Sequence, residues 1–210
     1  MVKVIVSGAM GRMGTCIVNA VAAAEDLELV GCFDPHCAGQ VVSCADGDFA
    51  CSDDLGALID ATGADVVVDF TQPGAVLANV ECVLSHGAHA VVGTTGVARQ
   101  DMEALALKYA DKGGKLFFAP NFTTGAVLMM QFAKVAGKFF PDVEIVEMHH
   151  DGKKDAPSGT AVTTAHMIAE GRGGVRNAGP GSETEIAGCE GARGAEVDGV
   201  RIHAIRGDGY

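Results

Sequence analysis

Between Glu147 and Ala161, fifteen residues carry two adjacent histidines, two adjacent lysines and a Ser-Gly-Thr triplet. His149 and His150 are side chains that exchange protons near neutral pH, and Lys153 adds a mobile ammonium able to hold a carboxylate or donate a proton. A helix opening at Ser158, Gly159 and Thr160 presents unpaired backbone N–H groups, hydroxyl donors and little side-chain bulk at the positive end of its dipole, where a carboxylate sits well. Each feature alone is ordinary: paired histidines often fill a strand end, and Lys153-Lys154 would pass for a solvated turn. Together they suit a small dicarboxylate. No metal site is expected, because neighbouring strand residues point to opposite faces and His149 and His150 cannot reach one ion without a kink.

The elements that must hold this stretch are a strand built on Val143, Ile145 and Val146, before it, and a helix from Ser158 to Glu170, after it. A second informative stretch opens the chain. The apolar run Val2 to Ser7 leads into Gly8-Ala9-Met10-Gly11-Arg12-Met13-Gly14, and an Ala- and Val-rich helical run, Thr15 to Ala24, follows. Glycines at a strand-to-helix turn give a tight turn, close approach of backbone to a pyrophosphate and close packing of helix on sheet. Leu27 to Phe33 reads as the next strand and ends at Asp34, near the spacing at which an acid meets the adenosine ribose hydroxyls. A carboxylate there repels a 2′-phosphate, and Pro35-His36 rather than an arginine follows, so NADH is favoured. Arg12, with His36, leaves NADPH open.

The chain has 210 residues, 48% apolar and 20% charged, enough for one large or two modest domains with a real core. Its apolar runs are too short for a membrane span and the first strand too short for a secretory signal, so a cytoplasmic location is expected. A net charge of −12 argues against a nucleic-acid partner and requires a local basic cluster for any anionic substrate. Seven cysteines, an odd count with no C-x-x-C, fit reduced thiols better than a disulfide framework or zinc ribbon.

From Pro35 to Ala64 the pattern predicts only one short helix, near Leu55 to Ala61. Beyond it Asp65 to Phe70 is a strand, Pro73 to about His86 a helix, and His89 to Val92 a strand leading into Gly93-Thr94-Thr95-Gly96. Asp101 to Asp111 is helical, and the strand Lys115 to Ala119 ends at Pro120-Asn121-Phe122. Strands alternating with helices predict an α/β chain with a Rossmann-like, doubly wound parallel sheet. Ligands of such sheets gather beyond the carboxyl ends of the strands, where Gly8 to Met13, Asp34, Thr71-Gln72, Gly93 to Gly96 and Ala119 to Phe122 all fall. Thr123 to Phe140 reads as a long helix suited to core or interdomain packing. A smaller α+β domain follows, and in its glycine-rich tail, eleven of the last forty residues, Val200 to Arg206 is the one clear strand. The expected domains are 1–121, for the dinucleotide, and 122–210, for substrate and oligomerisation.

With these stretches assembled, the sequence resembles the 4-hydroxy-tetrahydrodipicolinate reductase (dihydrodipicolinate reductase) family. The glycine turn 8–14, Asp69-Phe70-Thr71, Gly93-Thr94-Thr95-Gly96, Ala119-Pro120-Asn121-Phe122 and the block 147–161 match family motifs in order. The resemblance implies reduction of a cyclic unsaturated dicarboxylate by NADH or NADPH, and a homotetramer built through the second domain. It implies His149 as acid/base, Lys153 as proton donor, and His150, Ser158, Gly159 and Thr160 as substrate contacts. The strand-end residues Gly8, Ala9, Met10, Gly11, Arg12, Met13, Asp34, Gly93, Thr94, Thr95, Ala119, Pro120, Asn121 and Phe122 are the expected cofactor contacts. Family members continue past the strand containing His203, so a C-terminal segment returning to the nucleotide domain is expected to be missing here. Two other readings are another small-substrate nicotinamide dehydrogenase and a non-catalytic NAD(P)-sensing module, neither of which gives Lys153 to Thr160 a purpose.

Overall fold

Val4, Ile5 and Val6 are consecutive and all buried. A strand can bury both of its faces only where layers cover the sheet on each side. In the structure, a computed structural model, this strand (β1, Val2–Ser7) lies at the centre of a seven-stranded sheet. The described residues are 1–119, 121–140, 142–173, 186–188 and 191–209, and the chain divides into two compact units, Met1–Pro120 and Asn121–Tyr210.

In the first unit α1 (Arg12–Ala22), β2 (Leu27–Phe33), β3 (Val41–Cys44), β4 (Gly47–Ser52), α2 (Leu55–Thr62) and β5 (Val66–Asp69) follow β1. Then come α3 (Pro73–Ser85), β6 (His89–Val92), α4 (Arg99–Lys108) and β7 (Leu116–Phe118). The strand order is β3-β4-β2-β1-β5-β6-β7. Ile5 and Val67 pack with Leu55, Ile59, Val76, Val80 and Met102 on one face. Val4 and Val6 pack with Val18 and Val21 of α1 on the other. The doubly wound reading therefore stands, with one correction: β3 pairs antiparallel with β4, so the sheet is mostly rather than wholly parallel. Ala45-Asp46 makes the hairpin turn between the paired residues Cys44 and Gly47, and Gly47, which opens β4, has φ +127°, a conformation open to glycine. Cys32 and Cys51 are neighbours across β2 and β4. Burial first, then the adjacent thiols of Cys51 and Cys44, pushes Cys32 up to about 12, so it serves as a core residue rather than a nucleophile.

The carboxyl ends of β1, β5 and β6 are tied by one buried side chain. Asp69, 2% exposed, accepts Ser7 Oγ at 2.8 Å and Asn79 Nδ2 at 2.8 Å on one oxygen. Its other oxygen accepts Thr71 Oγ1 at 2.7 Å, Thr94 Oγ1 at 2.8 Å and Thr71 N–H at 3.2 Å. Thr94 Oγ1 also accepts Thr71 N–H at 2.8 Å.

The second unit holds α5 (Thr124–Ala136), β8 (Glu144–His149), α6 (Gly159–Gly171), β9 (Ala195–Val197) and β10 (Val200–Arg206). Its sheet order is β8-β10-β9, with β8 and β10 parallel. Ala161, Ala165 and Ile168 of α6 pack on Val200 and Ile202 of β10, with Ile145 beside them. Two expectations change here. The short strand β9, antiparallel to β10, is additional, and α5 ends at Ala136 instead of continuing to Phe140. Within its unit α5 buries only Met130 among its residues. It meets α6 closely enough that a Cβ on Gly171 would lie 2.0 Å from Lys134 O.

Replacing Asp69 by alanine leaves Ser7, Asn79, Thr71 and Thr94 donors without their acceptor. The expected cost is about 3 kcal/mol of unfolding free energy, measured as a lower urea midpoint at unchanged slope.

Candidate active site

The phase of β8 decides which of its side chains reach the interior. Ile145, Glu147 and His149 share the face covered by α6, and the parallel register sets Arg206 of β10 opposite His149. Glu147 is thereby a buried carboxylate, and such a group requires partners. It has four donors. Arg206 forks onto it, with Nη2 to Oε1 at 3.0 Å and Nη1 to Oε2 at 3.1 Å. Ser158 N–H donates to Oε1 at 3.1 Å, and His149 Nδ1 bonds to Oε2. Burial by itself would raise the Glu147 carboxyl, but the hydrogen bonds from Arg206, His149 and Ser158, with the Arg206 charge, hold it below the usual carboxylate range. Arg206 is anchored in turn on Asp155 O at 2.6 Å and Ile205 O at 2.8 Å.

Ser158 is the N-cap of α6, its Oγ accepting Ala161 N–H at 3.2 Å. Its hydroxyl is therefore engaged in the fold, and the next groups at this helix start are those of Gly159 and Thr160. The Lys153 side chain is three-quarters buried, and its Nζ meets Asp155 Oδ1 at 2.7 Å. That bond, assisted by Gly159 N–H, lowers the Asp155 carboxyl below its usual range. His150 is exposed on the loop that leaves β8. One stretch of the second unit thus places an imidazole, an ammonium and a helix N-terminus together.

In the first unit the expected nucleotide residues occupy the strand ends. Gly8, at φ +78°, donates its N–H to Phe33 O at 2.8 Å. A Cβ at Gly8 would sit 2.5 Å from Phe70 O, and one at Gly14 would sit 1.9 Å from Gly8 O. Gly11 caps α1 without a side-chain hydrogen bond, so backbone N–H groups of its first turn are open to an anion. Asp34 Oδ2 accepts Met10 N–H at 3.3 Å, which joins the end of β2 to the glycine turn. These residues fit a dinucleotide: close-packed glycines, a helix start and an acid at the next strand end.

Ala9 is buried, whereas Met10, Arg12, Met13 and Thr95 are exposed. Thr94 is turned inward onto Asp69, and a Cβ on Gly93 would lie 2.1 Å from the Phe70 ring. Ala119 N–H bonds to Val92 O at 3.2 Å, and Pro120 lies outside the described residues. Asn121 and Phe122 group with the second unit, where Asn121 Nδ2 donates to Thr160 Oγ1 at 3.4 Å. Sequence reading named Glu147 and Arg206 without assigning them a role. The available signal was a glutamate at an inward position of an otherwise apolar strand.

The class these two units define is that of the nicotinamide-nucleotide oxidoreductases. The family is narrower still. Residues 2–122 match the family model described as "Dihydrodipicolinate reductase, N-terminus", and residues 125–210 match "Dihydrodipicolinate reductase, C-terminus". The chain belongs to the dihydrodipicolinate reductase family. A 4-hydroxy-tetrahydrodipicolinate reductase of Listeria welshimeri is 47% identical over 208 residues, 97% of this chain and 78% of that protein. One from Enterococcus faecalis is 45% identical over 206 residues, 98% of this chain and 78% of that protein. The solved structure of dipicolinate-bound dihydrodipicolinate reductase from Paenisporosarcina sp. TG-14 is similar with a TM-score of 0.74 at 39% identity, covering 100% of this chain and 80% of that one.

Because Glu147 titrates lower in the folded chain than in the unfolded one, its contribution to stability is present above the ordinary carboxylate range and is lost as pH falls through the depressed value. Urea unfolding between about pH 6 and pH 3, spanning the ordinary glutamate value, should show stability falling with acid. The fall should be shallower in Glu147→Gln.

Proposed function

We propose that this chain reduces 4-hydroxy-tetrahydrodipicolinate to tetrahydrodipicolinate with NADH or NADPH, a step of lysine and diaminopimelate biosynthesis. The observation that carries this reading is the histidine held by Glu147 beside the α6 N-terminus and Lys153, within a chain of this family. The Paenisporosarcina relative binds dipicolinate, a planar dicarboxylate.

In this reading the glycine turn, Asp34, the 93–95 turn and the residues 119–122 hold the dinucleotide, which supplies hydride to the substrate ring. The chain's own groups do the rest. Gly159 and Thr160, at the positive end of α6, hold one carboxylate. Lys153 exchanges Asp155 for substrate and acts as proton donor, His149 is the acid/base, and His150 and Ser158 complete the substrate surroundings. Charge that develops toward the ring nitrogen side meets a cation and a proton donor, which lowers the barrier. The acid at Asp34, followed by Pro35 and His36, supports a preference for NADH.

A homotetramer through the second unit is part of the proposal. It is supported by Val146, Met148 and Ile205, which are 63%, 44% and 41% exposed on the sheet face opposite α6. A cytoplasmic location is supported by the cysteines, free wherever they are described. Among the described residues no helix is long and apolar enough to cross a membrane. A sensing module or another nicotinamide dehydrogenase is less favoured, because neither needs a proton donor beside a carboxylate site.

The test is oxidation of NADH and NADPH by the purified chain with the freshly made condensation product of pyruvate and aspartate semialdehyde. Turnover is expected with both, faster at limiting NADH, and Lys153→Ala should lower kcat by about 100-fold without weakening NADH binding. NADH binding without oxidation would sink the reading in favour of a sensor. Light scattering should give a mass four times that of one chain.

A further inference from the structure

A carboxylate that served only to neutralise Arg206 would be satisfied by the guanidinium fork and the Ser158 N–H. Glu147 also spends Oε2 on His149 Nδ1. The strand itself enforces that contact, since residues two apart on β8 face the same side. The fork then fixes the plane of the carboxylate: Arg206 Nη1 and Nη2 take one oxygen each, at 3.1 and 3.0 Å. The guanidinium cannot swing, because Asp155 O and Ile205 O hold it from behind at 2.6 and 2.8 Å. The oxygen aimed at His149 is therefore fixed by Arg206 Nη1, and its twin by Arg206 Nη2 and the Ser158 N–H.

The geometry points to Glu147 as a positioning residue, which locks His149 in the tautomer with its proton on Nδ1 and leaves Nε2 to exchange the reacting proton. This rests on the reading of the chain as a reductase whose acid/base is His149. An ionised carboxylate only accepts, so its partner nitrogen must carry the hydrogen. The bonds from Arg206, His149 and Ser158 keep Glu147 in that ionised form. When Nε2 takes a proton, the positive charge of the ring lies against Glu147; when Nε2 releases it, the ring returns to the same tautomer and the same orientation. The other charged groups near His149 are Arg206 from β10 and, on the loop leaving β8, His150, Asp151 and the Lys153–Asp155 pair. The start of α6, residues 159–165, brings no titratable side chain. Ser158 N–H on Oε1 makes the same carboxylate set the helix start beside the imidazole.

The test uses the full chain labelled with 15N in histidine, with two-bond proton–nitrogen spectra reporting the tautomer of His149, assigned through its loss in His149→Gln. The wild type should show the Nδ1–H form. In Glu147→Gln the amide keeps its carbonyl toward the two donors Arg206 Nη2 and Ser158 N–H, gives up the single bond from Arg206 Nη1 and turns its amide nitrogen to His149, so the ring should switch to Nε2–H. kcat should then fall by about 100-fold, with KM for the dicarboxylate and binding of NADH within about 3-fold of wild type, the signature of a group acting only in the chemical step. A folded Glu147→Gln protein with the wild-type tautomer, or with unchanged kcat, overturns the inference. If that variant fails to fold by circular dichroism, Glu147→Asp keeps the charge for Arg206 and withdraws the oxygen from Nδ1. It should lose the Nδ1–H preference and kcat together, and wild-type values for both overturn the inference equally. Absence of turnover in the wild type would instead count against the reductase reading, while the tautomer of His149 would still decide whether Glu147 sets it.

Discussion

A carboxylate taken out of water is tolerated only when donors meet its lone pairs, and each unit of this protein is arranged around one such group. In the first it is Asp69, in the second Glu147. Neither is neutralised in the same way. Asp69 is surrounded by hydroxyls, an amide and a backbone N–H, so its site is a hydrogen-bonded knot without a counter-charge among the described residues. Glu147 has an arginine fork and an imidazole, so its site carries charge in both senses and can respond when a proton arrives.

The difference follows from where the two residues stand. Asp69 ends a strand at the centre of a doubly wound sheet, next to the glycine turn after β1. Ser7, Thr71 and Thr94 come from three strand ends, and a single acceptor fixes all of them. Glu147 lies in a small three-stranded sheet covered by α6, where the core is thin. Its bonds to Ser158, at the start of α6, and to Arg206, on the neighbouring strand, join helix to sheet where apolar burial alone has little area to offer.

Much of the first unit was legible because central parallel strands read as uninterrupted apolar runs: Val2 to Ser7, Asp65 to Phe70 and His89 to Val92 could scarcely be anything else. The hairpin of β3 and β4 was not, since Val41-Val42-Ser43-Cys44 and Asp48-Phe49-Ala50-Cys51 alternate poorly, and its one clear signal, Asp46-Gly47, stands among other small and acidic residues. Three-residue β9 offers too little pattern to recognise. In the second unit the residue types that do chemistry were visible, but the direction of a hydroxyl was not. Thr94 and Ser158 look alike in sequence as small donors beside a ligand site, and both prove to be turned onto the scaffold. Arg206 sits 57 residues beyond His149 in the chain, yet the β8–β10 register makes them strand neighbours, which no local spacing reveals.

The electrostatic arrangement also bears on how an acidic protein, net −12, accommodates anionic ligands. Of the cations near His149, Arg206 is already spent on a buried partner and would leave it uncompensated if it moved. Lys153 is different: its own side chain is 24% exposed but that of its partner Asp155 is 58% exposed, so the pair is open to solvent on the carboxylate side and is held less firmly than a buried one. In the proposed reaction, exchanging one carboxylate for another at Lys153 and Gly159 would cost little, because Asp155 would return to water as the incoming group arrived. In that reaction the buried pair fixes geometry and the half-exposed pair turns over, so the same stretch is rigid at the imidazole and adaptable at the ammonium.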